Sequence, residues 1–365
     1  MDRKLGSDSE SGKSNGRAAP RGFSKLSPAK LSRVYDTYWK FAVERQRIFF
    51  ARASGESFQT SDPILAKHKF TNAYRASDRV SQYLIRQVLY QGEQSAHEIF
   101  FRTLLFKFFN RIETWEMLVR KFGMPVCDEF DPRKYGRVLE SAMERGEPVY
   151  SAAYIMPSGG KASEYGRKHE MHLGLLARMV KEEAAKRLQD CARMQDAFDL
   201  LRSYPTIGDF LAYQFVTDLN YSSVWNYSEM EFVVPGPGAL DGIQKCFHDR
   251  GGLTEADLIR VVADRQEREF ERLGLTFQDL WGRPLQLIDC QNLFCEISKY
   301  ARIAHPEVAG TTNRTRIKQL YSPNPAPIAL WYPPKWGLND RIPSSPVAHS
   351  PARLGRLTLL PDGET

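Results

Sequence analysis

The segment that most restricts the fold lies mid-chain, at residues 199–220, where a short turn separates two apolar helical patterns. Pro205 stops the first pattern, because a proline ring lacks an amide hydrogen and clashes with the preceding helical turn. Beyond Gly208, apolar residues recur at helical spacing as far as Leu219. The spacing predicts two helices joined by a tight hairpin, with the second starting at Gly208 and Asp209. Its first amide groups lack intrahelical partners and carry the positive end of a helix dipole, which favours a phosphate.

The hairpin resembles that of the helix-hairpin-helix DNA glycosylases. Residues 204–212 read YPTIGDFLA, with Thr206 where the motif usually has its first glycine and Gly208 at its second. The resemblance implies that residues 206–208 hold a DNA phosphate. Bifunctional members have a lysine where this chain has Phe210, which implies an enzyme without Schiff-base chemistry. A plain αα-corner is the alternative interpretation.

Composition favours a polyanionic partner and reduced thiols. The chain has 365 residues, 42% of them hydrophobic, and a formal net charge of +7. These values allow a sizeable core and suit DNA as a partner. Five cysteines without a Cys-x-x-Cys pair do not match a disulfide framework or a four-cysteine iron–sulfur cluster.

Two further patterns bear on location and cofactors. No apolar run is long enough to span a bilayer and no signal-peptide core follows the polar start, so we expect a cytoplasmic location. His169 and His172 can share one helix face, but no third ligand is evident. We therefore interpret them as part of a solvated helix face and expect neither a metal nor a cofactor.

Four separated segments resemble the helical domain of the 5-hydroxymethyluracil DNA kinase family, earlier described as α-glutamyl/putrescinyl thymine pyrophosphorylases. They read FTNAYRASDR at 70–79, FFNRIET at 108–114, PGPGA at 235–239 and DCQNLFCEISKY at 289–300. The similarity spans roughly residues 35–302 and implies kinship with helix-hairpin-helix glycosylases. The chain contains no Gly-x-x-x-x-Gly-Lys-Ser/Thr phosphate loop, so we do not expect ATP-dependent phosphorylation by this chain alone.

Arginines in the first of these segments are candidate DNA contacts. The pattern predicts a helix over residues 70–86, with Arg75 and Arg79 on one broad face. Asp78 lies one turn from Arg75, close enough to orient its guanidinium group. A solvated charged face with an internal ion pair is the alternative.

The other segments supply further candidates for DNA binding. Asn110 and Arg111 interrupt a strongly aromatic helix and belong either to a structural network or to the lining of a pocket. Gly236 and Gly238 form a turn before a helix and let the backbone approach a ligand, or simply build the turn. Lys299 ends a polar helix stripe that either closes the pocket or bridges to the arginines; its other members are Asp289, Asn292 and Glu296.

Polar residues after the hairpin are the candidate catalytic groups. Cleavage of an N-glycosidic bond passes through a sugar with oxocarbenium character, which a nearby carboxylate stabilises. Asp218 can supply that carboxylate and Asn220 can orient a base or water, although both also suit a helix end and turn. The glycosylase resemblance implies an aspartate about twenty residues beyond the hairpin. That offset reaches Glu229 and Glu231, which otherwise begin a charged loop.

These patterns predict an all-α protein with two helical lobes around a basic cleft. We expect a disordered basic arm, a glycosylase-like domain, a packed Pro-rich extension and a disordered tail, at residues 1–29, 30–305, 306–343 and 344–365. The favoured function is a monofunctional DNA glycosylase that flips and excises a modified pyrimidine. Kinship with a family that acts on phage thymines suggests phage DNA as target and an antiviral role. The alternatives are a transferase that displaces phosphate from an activated hydroxymethyl-pyrimidine and a non-catalytic modified-DNA binding module.

Overall fold

The predicted all-α fold is confirmed in the computed structural model of the chain. The structure describes residues 28–55, 60–152, 156–158, 165–322 and 329–343, and these ranges hold thirteen α-helices and two short strands. The tail predicted at 344–365 lies outside the described residues, and so does the arm predicted at 1–29 except for its last two positions.

The helices follow one another along the chain with short connections. They are α1 Arg33–Ala53, α2 Pro63–Lys67, α3 Arg79–Tyr83, α4 Ala96–Phe109, α5 Ile112–Phe122, α6 Pro132–Glu144, α7 Lys168–Lys181, α8 Ala184–Gln189, α9 Met194–Arg202, α10 Asp209–Leu219, α11 Pro237–Cys246, α12 Glu255–Arg272 and α13 Leu287–Ala304. A π-helical stretch, Leu84–Leu89, extends α3, and 3-10 turns lie at Arg75–Ser77, Pro334–Trp336 and Asn339–Arg341. The strands β1 Lys30–Leu31 and β2 Phe247–Asp249 pair antiparallel.

Helix α4 is the most buried of the long helices and lies in the centre of the core. It is buried on nearly every side, as its aromatic sequence predicts, and packs against α7, α8 and α10. Its polar residues are paired: Arg102 Nη1 lies 3.1 Å from Glu98 Oε2, and Glu98 Oε1 accepts a hydrogen bond from the Cys127 amide. The helix therefore buries charge without leaving it unpartnered.

Glycines on α11 allow it to lie directly against α13. A Cβ on Gly242 would stand 1.9 Å from the Phe294 carbonyl oxygen, and one on Gly238 would stand 2.3 Å from Cys295 Sγ. A Cβ on Gly236 would meet the Phe210 ring at 2.9 Å. Gly236 and Gly238 thus face protein atoms rather than open space, which gives the glycines a packing role.

The connection between α9 and α10 matches the predicted hairpin in its boundaries. Helix α9 ends at Arg202, α10 begins at Asp209, and Gly208 is the N-cap residue. Thr206 has φ of +67°, the left-handed region that glycine occupies at little cost. This is the position where the glycosylase motif usually has glycine. The more specific likeness to a helix-hairpin-helix stays a prediction.

The helix predicted over residues 70–86 is wrong in its first half. The backbone is extended at Asp78, and α3 begins only at Arg79. The Asp78 carboxylate accepts a hydrogen bond from the Asn72 amide, and the Asn72 side chain donates to the Ser77 carbonyl oxygen. These bonds close a loop, because short polar side chains compete with the helical hydrogen bonds of the backbone.

The segment 329–343 crosses back over this loop. Tyr332 and Ser77 share a hydroxyl–hydroxyl hydrogen bond of 2.8 Å, and the Trp331 amide donates to Gln82 Oε1. None of the helices in the described ranges combines the length and apolar content needed to cross a membrane.

Candidate functional site

A carboxylate and two cations meet inside the helical core. Asp218 on α10 lies with Oδ1 2.7 Å from Arg75 Nη1 and with Oδ2 3.1 Å from Lys107 Nζ on α4. All three side chains are buried, and Asp218 has no exposed surface. We call these three residues the ion cluster.

Neutral polar groups complete the ion cluster. Arg75 donates from Nε to Gln214 Oε1 at 3.1 Å and from Nη1 to the Tyr221 hydroxyl at 3.0 Å. Lys107 donates to Asn110 Oδ1 at 2.7 Å. Asn110 follows α4 in the left-handed conformation, with φ of +48°, and is half-buried. It therefore marks the edge of the ion cluster towards the surface.

The charges in the ion cluster set its protonation. Burial raises the pKa of the Asp218 carboxyl, but Arg75 and Lys107 outweigh that effect and lower the pKa below its ordinary value. Burial also lowers the pKa of the Lys107 ammonium group, an effect that Asp218 opposes. Asp218 is consequently an ionised acceptor that is already paired, which makes it a weak base.

The structure does not bring Asn220, Glu229 and Glu231 into the ion cluster. Asn220 exchanges two hydrogen bonds with the Tyr227 backbone, accepting from its amide at 2.8 Å and donating to its carbonyl oxygen at 3.1 Å. Its amide group is thus occupied in holding the loop after α10. Glu229 pairs with Arg283 at 2.8 Å, and Glu231 is exposed.

The predicted DNA-contact residues are also dispersed. Arg75 is buried whereas Arg79 is exposed, so the common face expected for them is wrong. The ion pair expected between Arg75 and Asp78 is replaced by the pair with Asp218, because the extended backbone at Asp78 breaks the helical spacing. The polar stripe on α13 does reach Arg75, but through the Asp289 carboxylate, which accepts from the Arg75 backbone amide at 2.8 Å.

The remaining candidates have local partners or lie at the surface. Lys299 pairs with Glu296 at 2.6 Å, and Arg111 pairs with Glu113 at 3.4 Å. Gly208 is exposed, and nothing lies within 4 Å of where its Cβ would stand. The predicted phosphate contact at Thr206 and Gly208 stays a prediction.

His169 and His172 are buried, so the expected solvated helix face is wrong. The His172 ring accepts from or donates to the Tyr150 hydroxyl at Nδ1, 2.8 Å away, and Nε2 lies 3.1 Å from the Pro157 carbonyl oxygen. Burial lowers the pKa of His172 to about 4. No group of three or more metal-ligating side chains occurs within the described ranges.

Sequence reasoning missed Lys107, Gln214 and Tyr221 as members of this site. A signal was present, because Gln214 and Asp218 lie four residues apart on a helix that is buried and mostly apolar. Polar groups on one face of a buried helix require partners. Lys107 was likewise the one cation in the buried, apolar second half of α4.

The fold and the ion cluster define an all-α domain with a charged network in its core. Residues 32–310 match the family described as "5-hmdU DNA kinase, helical domain", and the chain belongs to this family. One relative is the 5-hmdU DNA kinase of Bacillus phage SP10, 29% identical over 288 residues. That alignment covers 73% of this chain and 45% of the relative, so the chain spans less than half of the relative's length. No solved structure matches the chain.

These matches confirm the family resemblance and overturn the favoured function. A kinase is a phosphotransferase, whereas a glycosylase is a hydrolase, and the SP10 relative is named as a kinase. The prediction of a monofunctional DNA glycosylase is therefore wrong. The roles that it gave to Asp218, Asn220, Glu229 and Glu231 in glycosidic cleavage fall with it, and so does the antiviral excision of phage bases.

Proposed function

We propose that the chain is a DNA base-modification transferase that acts at the 5-hydroxymethyl group of a pyrimidine in DNA. One observation carries the proposal: the range that matches the 5-hmdU DNA kinase helical domain, 32–310, contains the entire ion cluster. The substrate is the phosphorylated hydroxymethyl group, and the reaction displaces its phosphate.

The proposed step forms one bond and breaks another. A primary amine uses its lone pair to form a bond to the exocyclic methylene carbon of the base. The carbon–oxygen bond breaks, and its electron pair leaves with the phosphate group. The proton of the amine passes to solvent, so the base gains an amine substituent while inorganic phosphate is released.

The charge of the ion cluster supports a phosphate leaving group. Arg75 and Lys107 together carry two positive charges against the one negative charge of Asp218. The excess positive charge lies in a buried region, where electrostatic interactions are stronger than in water. Asn110, which accepts from Lys107, is more exposed than the other side chains of the site, so a base flipped out of DNA would approach the cluster there.

Product analysis tests the proposal directly. The chain is incubated with DNA that contains phosphorylated 5-hydroxymethyluracil, together with glutamate and putrescine, the groups in the earlier family name. We expect inorganic phosphate and an amine-substituted nucleoside in equal amounts, detected by mass spectrometry after digestion. If the chain instead uses ATP to phosphorylate 5-hydroxymethyluracil that carries no phosphate, the activity is that of a kinase and the proposal is contradicted.

Asn110→Gly separates a role in turnover from a role in folding. Glycine adopts the left-handed conformation of Asn110 without strain, so the variant removes the amide that accepts from Lys107 and keeps the backbone. We expect turnover to fall about tenfold, the loss of roughly one hydrogen bond to a charged group. The matched control is Glu183→Gly, at another helix boundary with positive φ of +52°, which should keep full turnover.

A modified-DNA binding module is the second candidate. It is favoured by the length of the SP10 relative, a protein named as a kinase of which 55% lies outside the alignment. DNA retention with no product under any of these conditions would favour the module over the transferase.

A further inference from the structure

A groove between α5 and α6 is lined by cations and contains no carboxylate. Its volume is about 610 Å³, and its apolar lining residues are Met117, Phe122 and Val138. Phe122 stacks on Tyr135 with ring centroids 4.3 Å apart and planes 13° apart. The cationic lining residues are Arg120, Lys121, Lys134, Arg137 and Arg145.

Most of these cations form no ion pair. Arg145 pairs with Glu147 at 2.8 Å, and its charge is thus offset. The other four side chains are exposed and make no ion pair with a carboxylate in the described ranges. The groove therefore presents four exposed cations from two neighbouring helices, with the carboxylates of Asp131 and Glu147 nearby but outside its lining.

Helix stability accounts for only part of this arrangement. Arg120 and Lys121 lie in the last turn of α5, where cations favour the helix dipole. At the start of α6 the N-cap residue Asp131 accepts hydrogen bonds from the Arg133 and Lys134 amides, and this carboxylate already supplies the negative charge that a helix N-terminus favours. The side chains of Lys134 and Arg137 are not needed for capping, and both line the groove.

We propose that this groove binds the phosphate backbone of DNA, outside the ion cluster. Arginine and lysine side chains contact phosphates by charge-assisted hydrogen bonds, and cations on two helices can contact successive phosphates of one strand. The choice of DNA over another polyanion rests on the proposed function. The groove would hold the duplex while the modified base is recognised elsewhere.

Charge neutralisation tests the groove. The groove variant of the full chain carries Arg120→Gln, Lys121→Gln, Lys134→Gln and Arg137→Gln. The matched control loses four exposed cations elsewhere, through Lys181→Gln, Lys186→Gln, Arg265→Gln and Arg268→Gln. Fluorescence anisotropy measures binding to a short duplex, with and without 5-hydroxymethyluracil, over a range of salt concentrations.

The groove variant should bind about tenfold or more weakly at low salt. The slope of log K against log salt should fall by about 3 to 4, because each lost phosphate contact removes about 0.9. Both duplexes should weaken by the same factor, and the control should keep the wild-type slope. Equal weakening in the control, or no binding of wild type to either duplex, would overturn the proposal.

The single variant Lys134→Gln distinguishes binding from folding. It should weaken DNA binding and leave the melting temperature nearly unchanged, because the Lys134 side chain is exposed and forms no ion pair in the described ranges. A lowered melting temperature with unchanged binding would assign Lys134 a structural role and contradict the proposal. Failure of the base-modification reaction would leave these binding curves unaffected, so the two proposals fail independently.

Discussion

Arg75 and Asp218 form an ion pair of 2.7 Å between side chains that are 143 positions apart in the chain. One partner lies in a 3-10 turn before α3 and the other on the second helix of the hairpin. Burying either charge alone is unfavourable, because the low-dielectric interior replaces its hydration. The pair, with Lys107 as a third member, therefore couples the α3 loop and α4 to the hairpin.

Asp218→Asn should destabilise the fold strongly. The amide keeps the shape of the side chain but leaves Arg75 and Lys107 buried without a countercharge. We expect the free energy of unfolding to fall by about 3–5 kcal/mol, measured by urea denaturation. Asp209→Asn is the control, since its pair with Arg202 is exposed and screened by solvent, and its loss should stay below about 1 kcal/mol. Equal losses in both variants would contradict the importance of burial.

Thr206→Gly should stabilise the hairpin. Thr206 is β-branched and has φ of +67°, and its buried hydroxyl has no hydrogen-bond partner in the described structure. Glycine removes backbone strain of about 1–2 kcal/mol. It also raises the conformational entropy of the unfolded chain, which offsets part of this gain, so the net increase in stability should be about 0.5–1 kcal/mol. Ser203→Gly is the matched control in the same connection, at φ of −67°, and should destabilise. The melting temperatures of both variants are compared with that of wild type. A lower melting temperature for Thr206→Gly would contradict the inference that the Thr206 backbone is strained.

Acid should destabilise the fold through His172. Burial lowers the pKa of His172 to about 4, so below the unfolded value of about 6.5 the unfolded chain binds a proton that the folded chain does not. The contribution of His172 to stability is present above that value and is lost as pH falls towards 4, by up to about 1.4 kcal/mol per pH unit. Urea denaturation over this pH range should show a smaller acid loss in His172→Gln than in wild type.

The matched control is His248→Gln, the same substitution at an exposed position on β2. It removes an imidazole without disturbing the core, so it separates the effect of His172 from a general effect of losing a histidine. An unchanged pH profile in His172→Gln would show that the acid sensitivity arises from another group.

Local chemistry made the hairpin and the helical class predictable. Pro205 and Gly208 act within one or two residues of themselves, through a missing amide hydrogen and a missing Cβ, and α10 begins where they predict. Helical periodicity likewise predicted α13, but it predicted a single aromatic helix through Asn110 and Arg111, where α4 ends and α5 begins. The family could be predicted because its four segments are contiguous stretches of sequence.

The candidate site could be predicted only in part. Asp218 and Arg75 were both selected, but for separate roles, because helical spacing paired Arg75 with Asp78. Lys107 was overlooked inside an aromatic run. The enzymatic class was wrong because a hairpin geometry can be shared by proteins that catalyse different reactions.

The sequence by itself determined the helical class, the ends of the hairpin helices and the family, since these depend on neighbouring residues and on residue spacing. Only the tertiary structure decided which charges meet. Asp218, Arg75 and Lys107 come from three distant segments, and their partners depend on how α4, α10 and the α3 loop pack. Burial makes this pairing essential for stability, because an unpaired charge in the core is far more costly than one left in water.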